Sequence, residues 1–465
     1  MLDRLRLPDT LVPRLAAALR MVRGEPDQGL ISLTLALPSW DGRLPAPARP
    51  GAPFFYRAEW AARRVVLGLG EAEAVVTGGA GRLEALDQGL ARLRARWRHL
   101  DLDGTGCEPG ALAGFAFDPL DRMEGRWQGW PNALLLVPRV LLQRRHDVCT
   151  LTLTVSAAGL AEAERSLDRW LAPAGPILDG RPGPVPGRGE RARPERLDGE
   201  ARRAAWLDLV RASRDTVAAG ALRKVVPSRE LVVRTDPLPE PARLVAELEQ
   251  RYPRCAVWAV SRAPGLLVAA SPERLVGLHA GHVVSDALGG TAPAAGPFEA
   301  ETVMPPLASG KVQHEHALVV EAIRDALGPD VEGLAAGATP EVVSLRNLAH
   351  LRTVFRGRVR EGVTLLGLAG RLHPTPAVCG LPQAEALAWL REQGNAARGW
   401  YTGAVGWVER NGDGELSVVL RCGLLQGGEA TLFAGAGVVE ESDPEAELAE
   451  TELKLSGFLE ALRCA

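Results

Sequence analysis

Apolar positions along the chain fall into two periods. Alternating or continuous apolar runs predict strands at GLISLTLAL (29–37), HDVCTLTLTVS (146–156), LRKVVPSRELVV (222–233), CAVWAVS (255–261), GLLVAAS (265–271) and RLVGLHAGHVVSDAL (274–288). Helical spacing predicts helices over 81–97, 158–171 and 200–220, and again over 310–327, 362–371 and 383–393. GAVGWVERNGDGELSVVLRCGLL (403–425) reads as a hairpin turning at Asn411-Gly412-Asp413-Gly414. A last helix opens at Ser442, where Ser442 and Glu445 have capping-box spacing and Pro444 suits the first turn. Antiparallel strands mixed with long helices predict an α+β fold.

Residues 172–199 are dominated by Pro, Gly and Arg and carry no apolar period, which predicts a flexible loop between residues 1–171 and 200–465. A hydrophobic share of 46% and a net charge of −3 describe an ordinary globular chain. Neither advertises a nucleic-acid or membrane-surface partner. The six cysteines are scattered without a CxxC pair, as expected for reduced thiols. The N-terminus lacks a signal-peptide apolar core, and the apolar run at 133–142 is broken by Pro138 and Arg139, so a soluble cytoplasmic protein is expected. Three of the 54 basic residues are lysines (Lys224, Lys311 and Lys454), and the other 51 are arginines. Such a skew records coding bias. It also singles out each lysine, because an arginine cannot give up its proton in a protein.

Several residues carry candidate chemistry. Lys224 precedes Val-Val in a predicted strand, where burial disfavours the ammonium and favours a general base; the plainer alternative is a strand-end lysine reaching solvent. Glu273 in SPERLV closes an apolar strand, so it is either a turn residue or a desolvated acid. Glu315 sits at the edge of the apolar stripe Val312, His316, Val319, Ile323, Leu327 and points partly inward, which demands a partner. Glu447, Glu450 and Lys454 share one face of the last helix, which alone reads as a solvated charged face. The flanking His314 and His316 point to different sides of their helix and make a poor zinc site; glutamates from two helices suit magnesium better. LGGTAPAAG (288–296) and FAGAGVV (433–439) match no P-loop or GxGxxG pattern, so no nucleotide site is expected.

In chain order, RKVVPSRE, SPERL, LGGT, HEHALVVEAI, LHPTPAVCG, YTGAVGW, LRCGLL, FAGAGVV and SDPEAELAETELKLS resemble the chorismate-utilising enzymes, and among them the isochorismate synthases. The resemblance covers residues 200–465, with the N-terminal part matching in length and general pattern. It implies large antiparallel sheets packed face to face with helices outside, the N-terminal part completing the fold. It implies that Lys224 activates water for attack at C2 of chorismate and that Glu273 protonates the departing C4 hydroxyl. Glu315 and Glu450 are implied as Mg²⁺ carboxylates, with Glu447 near the ion's water shell. Arg421 and Lys454 are implied as partners of substrate carboxylates. Tyr401 and the amides around Gly435 and Gly437 are implied to orient the substrate, and Thr291 to lie near the leaving hydroxyl. Lys311 receives no role.

Gly289 stands where aminodeoxychorismate synthases carry a nucleophilic lysine, and HPTPAVCG with Ala377 resembles the water-using branch. The chain departs from the family after Thr291, where it reads APAAG, and before HEH, where it reads KVQ. The expectation is a Mg²⁺-dependent isochorismate synthase serving menaquinone or siderophore synthesis, a monomer or weak homodimer binding chorismate. The alternatives are a salicylate synthase, an anthranilate-synthase-like enzyme, and a catalytically silent chorismate-binding protein.

Overall fold

The computed structural model describes residues 7–22, 29–46, 53–185, 194–197, 199–236, 239–293, 307 and 309–465. Twelve described strands form one sheet and ten form another. The larger sheet runs, in spatial order, Glu195–Arg196, Ser228–Arg234, Glu429–Gly435, Cys422–Gln426, Gly265–Ser271, Ala256–Arg262, Phe54–Glu59, Arg64–Leu69, Val140–Arg145, Val148–Ser156, Leu30–Leu37 and Trp97–Asp101. The sequence halves meet where Ala256–Arg262 pairs antiparallel with Phe54–Glu59, placing Trp258 opposite Arg57. In the second sheet they meet where Ala404–Glu409 pairs with Gly110–Phe115, placing Trp407 opposite Leu112. Each seam is an ordinary antiparallel ladder, so both sheets are continuous across the two halves.

The alternation of side chains along these strands fills three layers. Between the sheets lies an aromatic core of Phe55, Trp127, Trp130, Trp258, Trp400, Trp407 and Phe433 with their aliphatic neighbours. Beyond the larger sheet, Leu11, Leu15, Leu167, Leu244, Leu248, Leu455 and Leu462 pack helices Leu7–Val22, Leu160–Leu171, Pro241–Arg251 and Pro444–Cys464 against its outer face. Beyond the smaller sheet, Leu86, Leu90, Trp206, Val210, Val319, Ile323, Leu366 and Leu390 do the same for helices Arg82–Ala95, Glu200–Ala218, Gly310–Leu327, Leu365–Leu372 and Gln383–Glu392. The fold is α+β, with two sheets face to face and helices outside.

Three local expectations change. The run read as one strand at 222–233 is two, Lys224–Val225 and Ser228–Arg234, because Pro227 cannot donate to a ladder. The last helix is capped by Asp443, whose Oδ1 accepts from Ala446 N at 2.9 Å, while Ser442 Oγ accepts from Val439 N at 3.1 Å. The carboxylate one residue on takes the cap, because the Ser442 hydroxyl is already engaged by Val439 N. Within 172–199, Ala172–Ala174 and Gly175–Leu178 are helical turns with Ile177 and Leu178 buried, and Glu195–Arg196 joins the larger sheet. Residues 186–193 and 198 of that run, and Ala294–Gly296 of LGGTAPAAG, lie outside the described residues. The five buried cysteines and Cys464 are free thiols. Among the described residues, no helix is long and apolar enough to cross a membrane.

Phe55 is 1% exposed and meets Trp407 across the intersheet core at 5.6 Å between ring centroids. Phe55→Ala should cost about 3–5 kcal/mol. Denaturant unfolding should stay a single transition at a lower midpoint; separate transitions for the two halves would contradict one shared core.

Candidate active site

The chain crosses from the larger sheet to the smaller one between Ser271 and Arg274, and returns between Val418 and Cys422. Near these crossings lies a cavity lined by Lys224, Glu273, Thr291, Glu315, Ala377, Tyr401, Arg421, Gly435, Gly437, Glu450 and Lys454. Eleven of the twelve residues given a site role from the sequence therefore converge. Glu447 does not line the cavity.

Lys224 is 3% exposed and does not reach solvent. Its short strand pairs with Gly380–Leu381 on one side and bridges Val225 to Val438 on the other. Gly380 has φ +138, and a Cβ there would sit 2.3 Å from the Lys224 carbonyl, so only glycine lets these backbones meet. Arg398 braces the same corner. Its fully buried guanidinium donates to Val226 O at 2.7 Å and to Val378 O at 3.1 Å, tying the Lys224 strand to the loop that carries Ala377. That loop is anchored from the N-terminal half: His373, beside Ala377's turn, sits edge-on to Phe115 and Phe117 and hydrogen-bonds Thr402 O at 2.9 Å. Burial, with the Arg82 charge, pushes His373 down to about 3, so its ring is neutral.

Glu273 is buried and its Oε1 has no hydrogen-bond partner among the described residues. Burial raises its pKa to about 8, the Asp286 charge adds to this, and Lys224 opposes it. Asp286 cannot relieve Glu273, since both are acids and Asp286 is itself held 3.6 Å from Arg274. Near neutral pH Glu273 is therefore a protonated donor facing a cavity.

The other three carboxylates each meet one of the three lysines. Lys224 Nζ lies 3.7 Å from Glu315 Oε1, Lys454 Nζ lies 2.6 Å from Glu450 Oε1, and Lys311 Nζ lies 2.7 Å from Glu447 Oε1. Burial pushes Glu450 up, but Lys454 outweighs it and holds the carboxyl below its ordinary value. Glu447, 2% exposed, is raised by burial and by Glu450. A Cβ on Gly437 would fall 2.6 Å from Glu315 Oε1 and 2.8 Å from Lys224 Cε, so a bare backbone keeps this corner open. Among the described residues, no three His, Cys, Asp or Glu side chains stand close enough to hold a metal by themselves.

Thr291 is delivered by a β-bulge. The strand His282–Pro293 shifts register between Gly289 and Thr291, and Gly290 takes φ +67. The shift sets Thr291 opposite His350, with Oγ1 3.2 Å from Nδ1. Arg421 Nη2 lies 3.0 Å from the other ring nitrogen, Nε2. A guanidinium only donates, so Nε2 accepts and Nδ1 carries the proton. Burial and the Arg421 and Lys454 charges hold His350 well below its ordinary pKa, consistent with a neutral ring. Tyr401 stacks on Phe433 at 5.1 Å, and Lys454 Nζ also donates to Gly435 O at 2.8 Å. His350 and Arg398 were not singled out from the sequence. His350 lies in a run with no catalytic spacing, and only the bulged register reveals it.

The motif order and the fold agree with comparison to known proteins. Residues 17–463 match the family described as chorismate binding enzyme, and the chain belongs to that family. It is 34% identical to the salicylate biosynthesis isochorismate synthase of Pseudomonas aeruginosa, over 81% of this chain and 79% of that protein. It is 29% identical to the isochorismate synthase MenF of Bacillus subtilis, over 78% and 76% respectively. The fold superimposes on the menaquinone-specific isochorismate synthase MenF of Escherichia coli with a TM-score of 0.78 at 24% identity, covering 98% of this chain and all of that one.

Glu273 keeps its proton in the folded chain up to about pH 8 but loses it near the ordinary carboxylate value when unfolded. Folding is therefore penalised increasingly as pH rises through that window. Glu273→Gln should raise the thermal midpoint over the parent by more at about pH 9 than at about pH 5. Equal differences at both pH values would contradict a proton-holding Glu273.

Proposed function

We propose that the chain is an isochorismate synthase, adding water at C2 of chorismate with loss of the C4 hydroxyl. Family membership and likeness to isochorismate synthases over most of the chain support this. The observation that carries it is a buried, unpartnered acid, Glu273, sharing one cavity with the buried amine of Lys224. One face of the reaction needs a base and the other an acid, and burial holds Glu273 in the protonated form its task requires.

Lys224, as the free amine, takes a proton from the water that attacks C2. Glu273 gives its proton to the departing hydroxyl, which leaves as water. One water enters and one leaves, so substrate and product are isomers. Arg421 binds a substrate carboxylate through its fork, its orientation fixed by His350. Lys454 supplies a second cation, Tyr401 and the backbone at Gly435 and Gly437 orient the ring, and Thr291 sits by the leaving hydroxyl. Ala377 keeps the Lys224 side of the cavity clear of bulk.

Glu315 and Glu450 would hold Mg²⁺, with Glu447 acting through its water shell. Two hard oxygen donors line the cavity, and the missing side chain at Gly437 leaves the cradle open, which fits an ion that keeps several waters. When bound, such an ion supplies positive charge for the ring carboxylate of the substrate. The same reading carries a cytoplasmic enzyme working as a monomer or weak homodimer.

Incubation of the purified chain with chorismate and Mg²⁺, with chromatographic separation, should yield isochorismate. Salicylate with pyruvate would make it a salicylate synthase, and no turnover with or without ammonia would overturn the proposal. Lys224→Ala should lower turnover about 10³-fold while chorismate still binds. Because Glu273 must be protonated to act, kcat/KM should fall as pH rises through about 8. Gly437→Ala should cost about 10²-fold or more in kcat/KM by displacing Glu315.

A further inference from the structure

Lys311 is the one lysine without a part in the chemistry above, and its position is specific. It lies on the first turn of the helix Gly310–Leu327, one turn before Glu315, and reaches across to Glu447 on the helix Pro444–Cys464. Unlike Lys224 and Lys454, it does not line the cavity. Its side chain is 32% exposed, whereas the carboxylate it holds is 2% exposed. The ammonium therefore bridges a sealed carboxylate and open solvent, and has somewhere to withdraw to. It faces the whole acidic cluster: Glu447, Glu315 and Glu450 together stabilise its charge against the opposing effect of burial.

We propose that Lys311 is a tethered stand-in for the divalent cation, neutralising Glu447 when no metal is bound and competing with the metal for the cluster. The proposal rests on the reading of Glu315 and Glu450 as metal carboxylates. Its physical basis is charge balance. Three buried or half-buried carboxylates on two helices repel one another, and each unpaired one is costly to remove from water. In the substrate-free protein, with Lys224 still carrying its proton, the three lysines leave the cluster formally neutral and the two helices can pack together. A divalent ion then brings two further positive charges to a neutral cluster, and withdrawal of an ammonium relieves part of that excess. Lys224 is only 3% exposed and Lys454 is fastened to Gly435 O, so Lys311, with its side chain 32% exposed, is the one able to leave.

The test is Mg²⁺ binding to the substrate-free protein by isothermal titration calorimetry, together with thermal midpoints in EDTA and in Mg²⁺. Lys311→Met removes the charge and keeps the length. It should bind Mg²⁺ about tenfold or more tightly than the parent. Its midpoint should fall in EDTA and recover with Mg²⁺ more than the parent's does. Lys311→Arg, which keeps the charge, should bind Mg²⁺ like the parent. In the Lys311→Met, Glu447→Gln double variant the gain in affinity should disappear, because the contested carboxylate is gone. Affinity in Lys311→Met equal to or weaker than the parent's, with the parent binding normally, would overturn the competition alone. No Mg²⁺ binding in any of these proteins would overturn the metal reading and this proposal with it. Should Lys311→Met fail to fold even with Mg²⁺, Lys311→Gln takes its place with the same expected gain.

Discussion

A carboxylate taken out of water must find a cation or keep its proton, and the arrangement of the site follows from that choice. Five acids lie in or beside the cavity. Glu315, Glu447 and Glu450 each have a lysine within reach, Asp286 has Arg274, and Glu273 has no fixed partner. Lys224, the cation that acts on Glu273, lies 3.7 Å from Glu315 and is shared with it. Arg274 is held by Glu415 at 2.6 Å, and Arg57, arriving from the other sheet, reaches both Glu415 and Glu59. This ion network fastens the two sheets together under the crossing that carries Glu273. Burial, with Asp286 nearby, outweighs Lys224, so Glu273 resolves its burial by staying protonated.

The near-absence of lysine gains a physical meaning in this light. Arginine serves on the surface, where a charge need only be solvated or paired with an exposed acid. In the site a compact ammonium is required. Lys454 points one Nζ at both Glu450 and the Gly435 carbonyl, a convergence that a planar fork with fixed donor directions does not reproduce. In the proposed reaction Lys224 takes a proton from water, which a guanidinium would not do. Each surviving lysine faces a glutamate, so the composition of the chain and the wiring of its site are aspects of one constraint.

Much of the fold was legible because its signals are local. Period-2 and period-3.6 patterns located most strands and helices, and Asn411-Gly412-Asp413-Gly414 turns the hairpin between Ala404–Glu409 and Gly414–Val418. The site was legible through motif order for eleven residues of its lining. What escaped depends on register and long-range packing. His350 reaches Thr291 only because a bulge at Gly289 and Gly290 shifts the ladder. Arg398 is one of 51 arginines, and nothing local shows that its fork joins the carbonyls after Lys224 and Ala377. The partner of Glu447 was equally hidden. From the last helix alone Glu447 belongs with Glu450 and Lys454, yet it turns to Lys311, 136 residues away.

The two seams have a consequence for how the chain is made. Strands Phe54–Glu59 and Gly110–Phe115 emerge from the ribosome early, but Ala256–Arg262 and Ala404–Glu409, which close them, come much later. At about 5–20 residues per second the first half waits on the order of tens of seconds with open edges and half an aromatic core. Open edges are templates for pairing with other chains. A nascent chain of this architecture depends on whatever shields those edges during synthesis, and its yield in a foreign host is set there as much as by the stability of the finished protein.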